Sequence, residues 1–170
     1  MNQIRKYLFK YCPALILLML IYLSPFKLIL VQGISMSPSY KNYQILIAYK
    51  IDSNTVLNKN DVIVALVETQ NIIKRIKYLE NDEIFYYYDS RKEIFKLISN
   101  EEFKKLSLVK KEFPNHILLS KITVSKDKYY LMGDNRNFSD DSRRFGLIDK
   151  NNILYKIIYP LSKDPNNGKK

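Results

Sequence analysis

Cysteine occurs once in these 170 residues, at Cys12, histidine once, at His116, and glycine only four times. A single cysteine excludes an intrachain disulfide and a zinc site built from thiolates. A single histidine counts against any mechanism that needs a histidine pair and against a His-rich metal site, so no metal and no other cofactor is expected. The first 11 positions hold no acidic residue, and the chain has no internal repeat and no low-complexity block. No small-x-small cleavage site follows the long apolar run at residues 12–31, which argues against a removable leader.

What is present suits one domain with a small appendage. Apolar residues make up 46% of the chain, enough for a real core. Lys and Arg outnumber Asp and Glu by 28 to 17, a formal net charge of +11. A basic surface attracts anionic lipid headgroups or nucleic acid. The chain is rich in Ile, Lys, Asn and Tyr generally, however, so the sign of the charge selects neither partner.

The run CPALILLMLIYLSPFKLILV, residues 12–31, matches the ~20 apolar residues that carry a helix across a bilayer core. Arg5, Lys6 and Lys10 precede it, which by the positive-inside bias puts residues 1–11 in the cytoplasm. The expected organisation is therefore a transmembrane anchor at 12–32 with everything after it outside the cytoplasmic membrane. Beyond residue 40 come short runs rich in β-branched and aromatic residues: 44–49, 61–68, 71–79, 83–89, 92–98, 116–124, 128–132 and 153–161. These read as strands. Only 99–113 reads as a helix, capped by Ser99 or Asn100, with acids early and lysines late. The expectation is a mainly β core, 33–77 and 115–161, interrupted by an inserted α/β cap at 78–114 and ending in a flexible tail, 162–170.

Three of the four glycines, Gly33, Gly133 and Gly146, bracket polar stretches, while Gly168 lies in the tail. Glycine provides positive φ or close backbone approach, so a chain that rarely uses it is shaping backbone where it does. The first stretch is GISMSP, Gly33 to Pro38, directly behind the apolar run. The second is IIKR, Ile72 to Arg75. Strand alternation sends Ile73 and Arg75 to one face and Ile72, Lys74 and Ile76 to the other. Burial among isoleucines lowers a lysine pKa, and a neutral lysine amine can take a proton from a serine. The third is GDNRNFSDDSRRFG, Gly133 to Gly146, a charged loop with glycine at both ends, suited to a rigid polar network.

Together these stretches resemble the bacterial type I signal peptidases, membrane-bound serine proteases of family S26 that use a Ser–Lys dyad. The SM-x-P motif of the family stands here as Ser35-Met36-Ser37-Pro38, its KR motif as Lys74-Arg75, and its GDNR-x-x-S-x-DSR-x-x-G motif as Gly133 to Gly146. The stretch NDVIVALV, 60–67, is similar to the family's GD-[IV]-V strand, with Asn60 in place of glycine. After KR the family usually continues to a GLPGD-like turn, whereas this chain reads IKYLEND. The resemblance implies that Ser35 is the nucleophile and Lys74 the general base, with Ser139 bonded to the lysine amine. It implies that Asp141 and Arg143 form a supporting ion pair and that Asp134, Asn135 and Arg136 shape the loop. It also implies that Met36 lines the pocket beside the nucleophile. Gly33, two residues before it, has no hydroxyl to offer an oxyanion, so the backbone N–H of Ser35 supplies one donor.

The resemblance further implies the partners: preproteins with small residues at −1 and −3 of the cleavage point, and the lipid bilayer, but no nucleic acid. With no matching motif around His116, a Ser-His-Asp triad is not expected. Two alternatives stay open at this level: a specialised maturation peptidase of the same family, such as one processing a pilin in conjugation, and a non-catalytic membrane-anchored β module.

Overall fold

The computed structural model describes residues 2–109, 113–163 and 165, with side chains described from Lys10 onward. The chain opens with helix α1, Asn2–Leu23. Pro25 lies two residues past its end, where proline and the restriction it places on its predecessor stop a helix. Strand β1, Phe26–Leu30, follows and pairs antiparallel with β2, Ile45–Lys50, in the register Phe26↔Tyr49 to Leu30↔Ile45. This corrects the sequence reading: the last third of the apolar run is not the end of an anchor but a strand of the core. Apolarity alone cannot separate the two, because Phe26, Leu28 and Leu30 stay exposed while Ile29 and Val31 turn inward. Among the described residues no helix is long and apolar enough to cross a membrane.

Among the described residues the main sheet has seven strands. To β1 and β2 it adds β3, Val62–Val67, β4, Gln70–Tyr78, β8, Lys128–Met132, β9, Ile148–Asp149, and β10, Ile153–Tyr159, in the order β1-β2-β10-β3-β4-β8-β9. The fold is mainly β, as expected. Two apolar clusters pack against this sheet. One contains Val31, Met36, Leu46, Val62, Val64 and Ile157, the other Ile63, Ala65, Ile76, Leu131, Ile148 and Ile153. Full burial of each of these Val, Leu, Ile and Met side chains stabilises by about 1.5–3 kcal/mol. Apolar residues on both faces explain why β3 reads as a continuous apolar run rather than an alternation.

A second sheet, order β6-β5-β7, comprises β5, Glu83–Asp89, β6, Ile94–Ile98, and β7, Ile117–Thr123, with helix α2, Asn100–Leu108, between the last two. Ser99 caps α2 by accepting from the Glu102 N–H at 3.1 Å. Residues 110–112 of the helix expected at 99–113 lie outside the described residues. The cap is larger than the sequence reading drew it. β7, assigned there to the core, pairs with β5 along its whole length, Glu83↔Thr123 to Asp89↔Ile117. Ile84, Val124, Tyr130 and Met132 form a third buried cluster that packs the two sheets together.

Asn60, where the resemblance places glycine, has φ +74, and its carbonyl accepts from Arg75. Asparagine is among the few residues that enter the left-handed region readily, so the substitution preserves the backbone path. Ser162, the first residue of the expected tail, is held by Arg75, which donates to its carbonyl at 3.1 Å and to its hydroxyl at 2.9 Å. Residues 164 and 166–170 of that tail lie outside the described residues.

Candidate active site

The turn after β1 presents Ser35, and the middle of β4 presents Lys74, 39 positions later. The lysine Nζ stands 2.9 Å from Ser35 Oγ. Lys74 is 4% exposed. Its strand neighbours Ile72 and Ile76 belong to an apolar cluster with Ile63 and Leu131. Burial therefore pushes the amine pKa below the ordinary 10.5, and the carboxylates of Asp141 and Asp140 only partly pull it back. Such an amine sheds its proton at a lower pH than a surface lysine and can then accept one from a hydroxyl within bonding distance.

The loop 133–146 braces this pair. Asp141, 1% exposed, is its hub. It accepts from the Gly133 N–H at 3.0 Å, from Ser139 Oγ at 2.9 Å, and from Arg143 Nε and Nη2 at 2.8 and 2.9 Å. Burial by itself would raise this carboxyl's pKa. The Arg143 guanidinium and the Gly133 and Ser139 donors outweigh it and hold the group below its usual 3.8. The structure thus brings Asp141 and Arg143 into a two-point ion pair. The Ser139 hydroxyl points at Asp141, and among the described residues the hydrogen bond of the lysine amine goes to Ser35 instead.

Asn135 ties the loop to the serine turn: its N–H donates to the Ser35 carbonyl at 2.9 Å and its side-chain amide to the Ile34 carbonyl at 3.2 Å. Asp134 takes Arg75 in a buried two-point pair, Nε to Oδ1 at 2.9 Å and Nη2 to Oδ2 at 2.6 Å. The sequence reading gave Arg75 no task. Its adjacency to Lys74 on alternating faces was the available signal: the lysine meets the serine while the arginine fixes the loop carrying Asp134. Met36 is buried in the first apolar cluster and also borders the cleft at Ser35. Gly33 sits at φ +89, its N–H held by Asn42 Oδ1 at 2.9 Å, and is exposed. Arg136 lies half-buried beside Arg143 and Lys77, along a second groove. His116 is outside the site, just before β7, with Nε2 4.0 Å from Asp89 Oδ1.

At Gly133 two chain segments approach closely. A Cβ there would collide with the Ser139 side chain and stand 2.7 Å from the Ser35 carbonyl oxygen. Since that oxygen is backbone, Gly133→Ala must shift the turn that carries the hydroxyl. The expected result is a fall of about 10²-fold in turnover with a folded protein, read by steady-state kinetics beside circular dichroism.

The cleft at Ser35 has a volume of about 510 Å³ and is open to solvent. On one side it is bounded by β1 through Leu28, Ile29 and Leu30, on the other by Gln70 to Lys74. β1 is an edge strand of the main sheet, so an extended chain lying here meets backbone groups that the sheet leaves unpaired. Among the described residues no cluster of three or more His, Cys, Asp or Glu is arranged to hold a metal ion.

A family model described as signal peptidase, peptidase S26, matches residues 4–161. The chain is similar to signal peptidase I P of Bacillus subtilis subsp. natto, 33% identical over 162 residues, covering 88% of this chain and 86% of that protein. It is similar to signal peptidase IB of Staphylococcus aureus, 29% identical over 145 residues, covering 76% of this chain and 74% of that protein. Among solved structures, a signal peptidase I from Enterococcus faecalis V583 matches at 21% identity and a TM-score of 0.37, covering 59% of this chain and 96% of the other.

Proposed function

Because the chain belongs to the signal peptidase family, peptidase S26, and is a serine peptidase, we propose that it cleaves N-terminal signal peptides from exported preproteins, with Ser35 as nucleophile and Lys74 as general base. The observation that carries this reading is the 2.9 Å approach of a buried lysine amine to a turn hydroxyl.

In the proposed mechanism the neutral Lys74 amine takes the Ser35 proton as Oγ bonds to the scissile carbonyl carbon. The resulting oxyanion meets the Ser35 N–H. Lys74, now an ammonium, returns the proton to the departing amine nitrogen, the C–N bond breaks, and the mature chain leaves with a free N-terminus. The signal peptide stays as an ester on Ser35. Lys74 then takes a proton from water, the hydroxide adds to the ester carbon, and the same proton restores the serine hydroxyl as the signal peptide leaves as a carboxylic acid, which loses its own proton to solvent. The Asp141 hub keeps Gly133 and Ser139 in place beside Ser35.

The cleft favours an extended substrate laid along the edge of β1, with small side chains at −1 and −3 facing its apolar lining. The apolar run of α1 and the exposed Phe26, Leu28, Leu30, Ile34 and Ile45 lie on the same part of the chain as Ser35. They support a location at the membrane, with α1 as anchor and Arg5, Lys6 and Lys10 keeping the N-terminus in the cytoplasm. The test uses the full chain in detergent with a tagged preprotein and reads the new N-terminus by mass spectrometry. Cleavage after a small residue is expected, and none after Phe is placed at −1. Cleavage at unrelated positions, or none in any preprotein, defeats the reading.

The rate should also depend on pH in one direction set by Lys74. The active base is the neutral amine, so kcat/KM rises as pH increases through the folded-state pKa of Lys74 and levels off above it. As burial lowers that pKa, the rise must be centred below the 10.5 of an ordinary lysine. A rise centred at or above 10.5 would mean that the amine is solvated during turnover.

A further inference from the structure

Ser35 and Lys74 come from separate segments, and a third segment bonds to the neighbours of both. Strand β10 ends at Tyr159, and the chain runs on through Pro160 to Ser162. The Pro160 carbonyl accepts from the Tyr40 hydroxyl at 2.8 Å. Ser162 accepts twice from Arg75, at its carbonyl from Nη1 at 3.1 Å and at its hydroxyl from Nη2 at 2.9 Å. The Tyr40 phenol also meets the Ser162 side chain. Tyr40 closes the turn that carries Ser35, its N–H donating to the Met36 carbonyl at 3.0 Å. Arg75 directly follows Lys74 in β4.

Both donors are deeply buried, Arg75 at 1% exposure and Tyr40 at 2%. A buried donor that loses its acceptor either goes unpaired at a cost or turns to the next acceptor within reach. For Arg75 Nη2 that acceptor is the Ser39 hydroxyl, 3.4 Å away, in the same turn as Ser35. The guanidinium also holds Asp134, whose neighbour Asn135 donates to the Ser35 carbonyl at 2.9 Å. A change at Ser162 therefore reaches the nucleophile turn by two routes, through Ser39 and through Asn135.

We propose that Ser162 is a positioning residue for the reaction: with Pro160 it straps the Ser35 turn to the Lys74 strand and so keeps hydroxyl and amine at bonding distance. The inference rests on the Ser35–Lys74 reading of the site. Ser162 does not border the cleft at Ser35, so it acts through Arg75 and Tyr40 and not on the substrate. The leverage is large, because displacing a reacting group by about 1 Å can cost about 10²-fold in rate.

Ser162→Ala removes the hydroxyl and keeps the carbonyl. For the full chain in detergent with a tagged preprotein, kcat should fall about tenfold while KM stays within about twofold. The rise of kcat/KM with pH should move up toward 10.5, because a loosened strap lets water reach the Lys74 amine. The charged groups around that amine, Asp141, Asp140, Arg143 and Asp134, are all retained in the variant, so the movement reports its solvation. Ser162→Thr keeps the hydroxyl and should retain most of the wild-type kcat. Tyr40→Phe, which releases Pro160, should behave as Ser162→Ala does, and it takes the place of that variant if Ser162→Ala does not fold. Wild-type kcat in Ser162→Ala, an equal loss in Ser162→Thr, or a fall in kcat with the pH midpoint unmoved overturns the strap while leaving the peptidase reading in place. If the wild-type chain cleaves no preprotein, the peptidase reading fails instead, and amide hydrogen exchange decides the strap. Exchange across residues 33–40 should then quicken in Ser162→Ala while the β5–β7 pairing exchanges as in wild type. Unchanged exchange across 33–40, or equal quickening in both regions, refutes it.

Discussion

Ser35→Ala and Lys74→Met should each lower kcat/KM for preprotein cleavage by about 10³-fold or more, because nucleophile and base act as one unit and neither keeps much activity alone. Lys74→Arg should fail as completely, since guanidinium keeps its proton at any working pH. A stability measurement separates loss of chemistry from loss of fold, and its sign is fixed. The folded-state pKa of Lys74 lies below the 10.5 of the unfolded chain. As pH falls from 10.5 toward the folded value, the unfolded chain takes up a proton that the folded one does not, so wild-type stability declines across that window. Lys74→Met carries no such proton. Relative to wild type its Tm should rise as pH is lowered through the window, and the advantage should persist at pH values beneath it. An inactive variant that is also less stable at neutral pH would mean that the amine serves the structure. Full activity in Ser35→Ala or Lys74→Met would end the dyad assignment.

The second large effect belongs to Arg75. Its ion pair with Asp134 has side chains 1% and 0% exposed, and the same guanidinium holds the Asn60 carbonyl and Ser162. Removing one partner of a buried pair strands the other charge, at a cost of about 3–5 kcal/mol. For a chain of this size Arg75→Ala should lower Tm by roughly 10 °C in calorimetry. Arg75→Lys keeps the charge but not the two-point geometry and should recover less than half of the loss. The double variant Arg75→Met, Asp134→Leu should recover more than Arg75→Lys does, because it leaves no buried charge behind. A double variant as unstable as Arg75→Ala would place the effect in packing and in the bonds to Asn60 and Ser162. Activity should fall with Arg75→Ala as well, since Asp134 adjoins Asn135, which holds the Ser35 carbonyl.

The main strands were legible because their runs are β-branched, aromatic and bounded by polar turns, and β4 and β8 were placed to within about two residues. The two short elements flanking Gly146, helix α3 at Ser142–Phe145 and strand β9 at Ile148–Asp149, carry too few residues for any periodicity and went unread. β1 was hidden for a different reason. Its apolar side chains continue the composition of α1, and only pairing with β2 distinguishes a strand edge from the end of a membrane span. β7 has a strand's sequence, but no local pattern says which sheet takes it.

The three motifs, their order and the residue types able to do the chemistry were set by local sequence, because a serine in a tight turn, a lysine among isoleucines and a glycine-bounded loop each follow from near neighbours. The tertiary structure alone decided that Ser139 faces Asp141 and that Arg75 locks Asp134. Each of these depends on contacts between segments tens of residues apart, and such contacts are fixed by sheet pairing and by which buried charges find partners.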